Sequence, residues 1–250
     1  MKKIKSSLIE RFSRQIVLKN VGAVGQKKIL TSKVLIVGMG GLGCPAAEFL
    51  TRAGVGTIGI VDNDKVNLSN LHRQSLYGTD DIKKSKVLVA KRRLNTINPN
   101  TKIKTYNIRL NKDNFNKIIN NYNYIIDGSD NFETKFLLND FCLRFKKILV
   151  TAAISKFDGH VFNFDFKNKK LPCLRCFFQE SHIPRDILDC ESEGILGTVA
   201  GIVGNLQANE VLKNILGFPN KLGGFILILD LFNLNFRMVK FKKKKECSCN

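Results

Sequence analysis

The segment GMGGLG (38–43) sets Gly38, Gly40 and Gly43 in the pattern G-x-G-x-x-G, directly after an apolar run and at the head of a helical stretch. That spacing supplies a tight turn, a backbone bare enough for a phosphate to approach, and a helix N-terminus whose unpaired N–H groups attract an anion. Asp62 closes the next apolar run, about 20 residues on, where a carboxylate reaches ribose hydroxyls. Nucleotide binding follows, and on this motif alone a nicotinamide-dependent oxidoreductase is the default. Further along, SNLHRQ (69–74) carries Arg73 and Gln74, then comes Lys86, and GSDN (128–131) presents Asp130. At the carboxyl ends of parallel strands these residues converge on one crevice. Arg73, Gln74 and Lys86 are then donors to phosphate oxygens, and Asp130 is a hard oxygen ligand suited to Mg2+. Arg14, in RFSRQ, adds a cation if its segment reaches the site. An enzyme that splits a triphosphate needs such a clamp, whereas a dehydrogenase does not.

Seven cysteines stand at 44, 142, 173, 176, 190, 247 and 249. An odd count and two close-spaced pairs argue against a disulfide scaffold and for a metal or reactive thiols. Cys173 and Cys176 form C-x-x-C, and Cys247 and Cys249 a shorter C-x-C. Four thiolates in a tetrahedron make a structural Zn2+ site, with reduced free thiols as the alternative. Cys44 and Cys142 fall on helix faces and read as core. His72, His160 and His182 are at unrelated positions.

The elements that must position these groups follow from periodicity and punctuation. Residues 6–31 have helical spacing, and Gly22 and Gly25 are expected to divide them into two short helices. KVLIVG (33–38), TIGIVD (57–62), KIKTYNI (102–108), the run around YNYIID (122–127) and KKILVTAA (146–153) read as strands. Helices between them are expected at 40–53, 83–97, 113–120 and 131–145, ended in two cases by Gly54 and by Asn98-Pro99. Strand and helix alternating in this way means an α/β, doubly wound, Rossmann-like and mainly parallel sheet. Beyond Ala153 the rhythm changes. FDGHVFNFDF (157–166) alternates like an antiparallel strand with NKK (168–170) as its turn, 177–194 reads as a loop, 195–217 as a long helix, and GGFILILDL and FRMVKF as a strand pair. The expectation is a single domain over 1–250, with a nucleotide-binding core (1–153) and an antiparallel extension carrying a zinc knuckle (154–250).

The 250 residues carry 41 Lys and Arg against 21 Asp and Glu, a formal charge of +20. The excess is mostly scattered lysine accompanied by many Asn and Ile, as A+T-rich codons produce, and the one run is Lys242–Lys245 beside Lys240. It favours an anionic partner without naming one, and nucleic acid is not the expected partner. No apolar run reaches the roughly 18 residues of a membrane span, and the basic N-terminus lacks the apolar stretch of a signal peptide. A cytoplasmic protein with no membrane partner is expected.

The ordered set RFSRQIVL, KVLIVGMGGLGCPAAEFLTRAGVGTIGIVDND, VNLSNLHRQ, INP, DGSDNFETK and GTVAGIVGNLQANEVLK resembles the ubiquitin-activating-enzyme-like superfamily, and within it the bacterial ThiF/MoeB/HesA adenylyltransferases, from about residue 10 onward. The resemblance implies ATP-dependent adenylation of the C-terminal glycine of a small ubiquitin-like sulfur carrier ending in Gly-Gly. The carrier resembles either the molybdopterin-synthase small subunit, the reading favoured, or the thiamine-pathway carrier. More distant readings are the NAD oxidoreductase and a tRNA-modifying enzyme. By matching motifs, Gly41 and Asp62 contact ATP, Ser69, Asn70, Arg73 and Lys86 surround its phosphates, and Asp130 holds Mg2+ with Asn131 nearby. Arg14 matches an arginine that reaches the partner's site in a homodimer. Cys190 matches a cysteine in a loop that crosses the adenylation site. Two C-x-x-C pairs are usual for zinc, so the Cys247/Cys249 pair is a departure. So are His72 and His160 in place of Gln, Ser85 for Pro, Ser129 for Thr and Lys135 for Arg.

Overall fold

The computed structural model describes residues 6–178, 194–247 and 249. Five strands, β1 (Lys33–Val37), β2 (Thr57–Val61), β3 (Lys102–Tyr106), β4 (Tyr124–Asp127) and β5 (Ile148–Ser155), are parallel neighbours in the order β3-β2-β1-β4-β5. Val34 and Ile36 pack on one face while Leu35 and Val37 pack on the other, so β1 is apolar after its exposed first residue, Lys33, as a strand covered on both sides must be. Helices α4 (Gly43–Ala53) and α5 (Lys86–Ile97) close the first face. Helices α6 (Lys112–Ile119) and α7 (Phe132–Arg144) close the second. The chain runs outward from β1 in both directions, so the strand order switches between β1 and β4. A crevice therefore opens above their carboxyl ends.

The sheet then continues without a break into antiparallel strands β6 (Asp158–Asp165), β7 (Phe225–Asp230) and β8 (Asn235–Lys240). Lys156, with φ of 51°, makes the β5–β6 reversal. The NKK segment instead leads into the short α8 (Leu174–Phe177), because the chain from β6 to β7 travels through α8 and the long α9 (Gly197–Leu216). The alternation expected in β6 is masked by burial. Val161 and Asn163 lie under the α9 layer, while Phe162 and Phe164 are covered by the aromatic cluster with Phe177, Phe178 and Phe241. Both faces are dry.

The N-terminal segment also departs from expectation. It forms α1 (Ser6–Arg11), α2 (Ser13–Ile16) and α3 (Gly22–Thr31). Gly25 does not break α3, because it sits inside the helix where a Cβ would come within 2.8 Å of Leu216 Cδ2. It is a contact glycine for the end of α9. No described helix is long and apolar enough to cross a membrane. The loop expected at 177–194 lies largely outside the described residues.

Candidate active site

The glycine segment leaves β1 at Gly38, whose φ of 88° is left-handed and whose Cα faces the Gly128 carbonyl so closely that a Cβ would lie 2.7 Å from it. Gly43 leaves no room for a Cβ beside the Gly38 carbonyl, which lets α4 start directly above the strand end. Asp62, at the end of β2, accepts the Met39 N–H at 2.7 Å and the Asp64 N–H at 2.8 Å. The expected ribose ligand thus also ties the glycine loop to β2. Burial pushes its carboxyl above the ordinary range, against the opposing pull of Lys86 and of those two N–H groups.

A cleft of about 730 Å³ opens over this loop at the switch point. It brings together Gly40, Gly41, Asp62, Ser69, Asn70, Arg73, Gln74, Lys86, Asp130 and Asn131, twelve residues or more of sequence separating most of their elements. Arg73 lies along the loop: a Cβ on Gly41 would meet its Cγ at 3.4 Å and its Cδ at 3.5 Å. Its Nη1 donates to the Ser69 carbonyl at 3.1 Å and lies 2.8 Å from His72 Nε2. The Asn70 amide donates to Ser69 Oγ at 3.3 Å. Gln74 is buried, stands 3.8 Å from where a Gly40 Cβ would be, and its Oε1 has no partner among the described residues.

Lys86 is 5% exposed at the first position of α5 and is not a loose phosphate-seeking cation. Its ammonium donates to Asp64 Oδ2 at 2.9 Å. Asp130 is exposed on the opposite lip, its Oδ1 accepting the Asn131 amide at 3.1 Å. Asn131 has a second task, since its Oδ1 accepts the Thr134 N–H at 2.9 Å and caps α7.

Beneath that lip lies a network to which the sequence reading gives no role, although its motif DGSDNFETK contains Asp127, Ser129 and Lys135. Asp127 is fully buried, and its carboxylate accepts the Ser129 N–H, the hydroxyls of Ser129 and Thr151, and the Lys135 ammonium at 3.0 Å. Lys135 also donates to the Ser129 carbonyl at 2.8 Å and the Ala152 carbonyl at 2.6 Å. This network fixes the turn that carries Asp130. The sequence signal for it is the spacing within DGSDNFETK, with Asp127 two residues before Ser129 and eight before Lys135.

Arg14 is not brought to this cleft. It is exposed on α2, whose Gln15 amide bonds the Ala53 carbonyl at 3.2 Å, and Ala53 ends the helix that begins at the glycine loop. Arg14 therefore sits at the opposite rim. Cys190 lies outside the described residues.

On the second face, near the end of β8, Cys173, Cys176, Cys247 and Cys249 place their sulfurs within 4.8 Å of one another. The distances are 4.0 Å for 173–176, and 3.5 Å for both 173–247 and 176–249. Four sulfurs about 2.3 Å from a tetrahedral metal ion are about 3.8 Å apart, so the group can hold one ion despite its shortened second pair. The Lys244 N–H points at Cys176 Sγ from 3.5 Å. Burial raises Cys173, and it drives Cys249 up to about 12. Burial also opposes ionisation of Cys247, but hydrogen bonds from Cys249, Cys173 and Cys176 outweigh it and lower that thiol. Cys44 and Cys142 are buried in the core as expected.

An open sheet with a glycine loop, a ribose-height carboxylate and a cation-lined crevice at its switch point defines a nucleotide-binding α/β protein equipped to handle phosphates. The chain belongs to the ThiF family, whose model matches residues 12–250. It is 38% identical over 242 residues to a sulfur carrier protein adenylyltransferase of Thermus thermophilus, covering 96% of this chain and 89% of that one. It is 40% identical over 243 residues to an adenylyltransferase and sulfurtransferase MOCS3 of Aedes aegypti, covering 97% of this chain but 55% of the relative, about half its length. The crystal structure of Escherichia coli MccB with ATP has the same fold, with a TM-score of 0.83 at 23% identity over 96% of this chain and 73% of that one. PaaA gives 0.81 at 24% identity over 96% and 85%. The family match sets aside the oxidoreductase reading that the glycine loop alone would favour.

Proposed function

We propose that this protein is a nucleotidyltransferase that activates the C-terminal glycine of a small ubiquitin-like sulfur carrier with ATP. A carboxylate oxygen of that glycine attacks the α-phosphorus, the bond from the α-phosphorus to the bridging oxygen breaks, and pyrophosphate leaves with the electron pair. The product is an acyl-adenylate. Two anions must meet in line, so the work of the protein is orientation and charge neutralisation, and no general base is required. The observation that carries the reading is the crevice itself: Arg73 laid over Gly41, Lys86 presented by Asp64, and Asp130 on the facing lip, around one loop built for phosphate approach.

In this reading Gly40, Gly41, Ser69, Asn70 and Gln74 seat the nucleotide, Asp62 takes the ribose, and Arg73 and Lys86 neutralise the phosphates. Asp130, steadied by Asn131, is an open-faced carboxylate that fits Mg2+, which when bound shares the phosphate charge. The four-thiol group fits Zn2+ and gives the last turns of the chain a cross-link that their few apolar residues cannot supply. Arg14 can serve an active site only across an interface between two copies. The exposed Val17, Leu18 and Val24 beside it are suited to such a homodimer. The six described cysteines are free, which suits the cytoplasm.

The carrier reading retained is the molybdopterin-synthase small subunit. The test is ATP–pyrophosphate exchange with purified carriers: exchange that requires a carrier ending in Gly-Gly supports adenylation, and the more active carrier identifies the pathway. Absence of exchange with every such carrier overturns it.

A further inference from the structure

Arg73 is poised over the glycine loop by two contacts close to it in sequence. Its Nη1 has two contacts, the Ser69 carbonyl at 3.1 Å and the His72 Nε2 at 2.8 Å. A guanidinium carries donors and no acceptor, so a contact of 2.8 Å is a hydrogen bond only when Nε2 is the bare, accepting nitrogen. Nε2 must then be unprotonated and Nδ1 must carry the proton. Without that acceptor Arg73 keeps, among the described residues, the Ser69 carbonyl. Gly197, at the start of α9, packs against the His72 backbone so closely that it leaves no room for a Cβ beside the His72 carbonyl. Among the described residues the other ionisable groups that line this cleft are Asp62, Asp64, Lys86, Arg109, Asp130 and Lys135. Asp64 is engaged with Lys86, Lys135 with Asp127, and Arg109 with Glu133.

We infer that His72 is a positioning residue for nucleotide binding, acting through Arg73: as an acceptor at Nε2 it aims the guanidinium across Gly41. The inference rests on the reading of the crevice as an ATP site and adds a residue to it.

The test is direct binding of Mg-ATP by calorimetry at pH 8 to the wild type, to His72→Gln, which keeps a side-chain acceptor, and to His72→Leu, which has none. Expected is an affinity for His72→Gln within about twofold of the wild type and an affinity for His72→Leu about fivefold weaker, with the melting temperatures of the two variants equal. Wild-type affinity in His72→Leu, or a loss in His72→Gln as large as that in His72→Leu, overturns the inference, as does the absence of any ATP binding. ATP binding with this pattern but no carrier-dependent exchange would instead overturn the adenylation reading and leave the role of His72 standing.

Discussion

Lys135→Met offers the sharpest test of how the acidic lip is held. The Lys135 ammonium is buried and has three acceptors, the Asp127 carboxylate at 3.0 Å and the Ser129 and Ala152 carbonyls at 2.8 and 2.6 Å. Methionine fills much the same volume, so packing is nearly conserved and no large cavity opens. What changes is that Asp127, with no exposed surface, loses the cation that faces it. Breaking a buried pair by removing one partner costs about 3–5 kcal/mol, because an uncompensated charge stays behind. Against a total stability of about 5–15 kcal/mol, that is a large fraction. Urea unfolding of the wild type, Lys135→Met and Lys135→Arg should show this loss in the methionine variant and little in the arginine variant, whose fork retains several donors. If Lys135→Met is too unstable to purify, Thr151→Val removes a single hydrogen bond to the same carboxylate and should cost about 1.5–3 kcal/mol. A loss below about 1 kcal/mol in Lys135→Met would refute the claim that this network supports the turn bearing Asp130.

Asp64→Asn should raise the apparent KM for ATP by about tenfold, since Lys86 loses the charge-assisted bond that presents it. Because the Asp64 side chain is 60% exposed, unfolding free energy should shift by less than about 1 kcal/mol, and a larger loss of stability than of ATP affinity would contradict this. Metal analysis should find one zinc per chain in the wild type and none in Cys249→Ser, whose melting point should fall by about 5–10 °C, given that about 1 kcal/mol moves a domain of this size by 2–4 °C. An unchanged zinc content would show that the shortened pair is not a ligand. His160, on β6, is held below the ordinary histidine range chiefly by burial, with Arg237 pushing the same way and Asp158 opposing. The unfolded chain therefore takes up its proton first as pH falls, and stability drops from about pH 7 downward. His160→Gln should flatten that limb, and identical urea midpoints from pH 7 to 5 in both proteins would sink the attribution.

The strand and helix alternation up to Ala153 was legible because its punctuation is local: Gly54 takes the left-handed cap of α4, and Asn98-Pro99 stops α5. The glycine loop was legible for the same reason, since Gly43 answers Gly38 and Gly38 answers the adjacent strand end at Gly128. What could not be read is set by distant neighbours. Gly25 looks like a helix breaker until Leu216 is seen against it. The period of β6 disappears because α9 and an aromatic cluster cover its two faces. Lys135 stands out in the sequence only as a lysine in place of arginine, and it takes the turn of α7 that Asn131 caps to point it down at Asp127. The two cysteine pairs were visible as pairs. Only the fold, by running β8 back past α8, brings Cys247 to 3.5 Å from Cys173.

Lys86 shows why the parts that local rules disfavour are the parts to expect at an anion site. A cation at the first position of α5 stands where the helix dipole favours negative charge, and it is buried as well. A single exposed carboxylate, Asp64, offsets both costs and leaves the ammonium facing the cleft. Phosphate oxygens arriving there complement the lysine and the helix end together. The same arrangement that weakens α5 in the free protein therefore strengthens the hold on a nucleotide. Replacing Lys86 by methionine should accordingly cost ATP affinity without a matching loss of fold stability. A variant that lost both in proportion would mean that the lysine holds the helix in place instead of the phosphates.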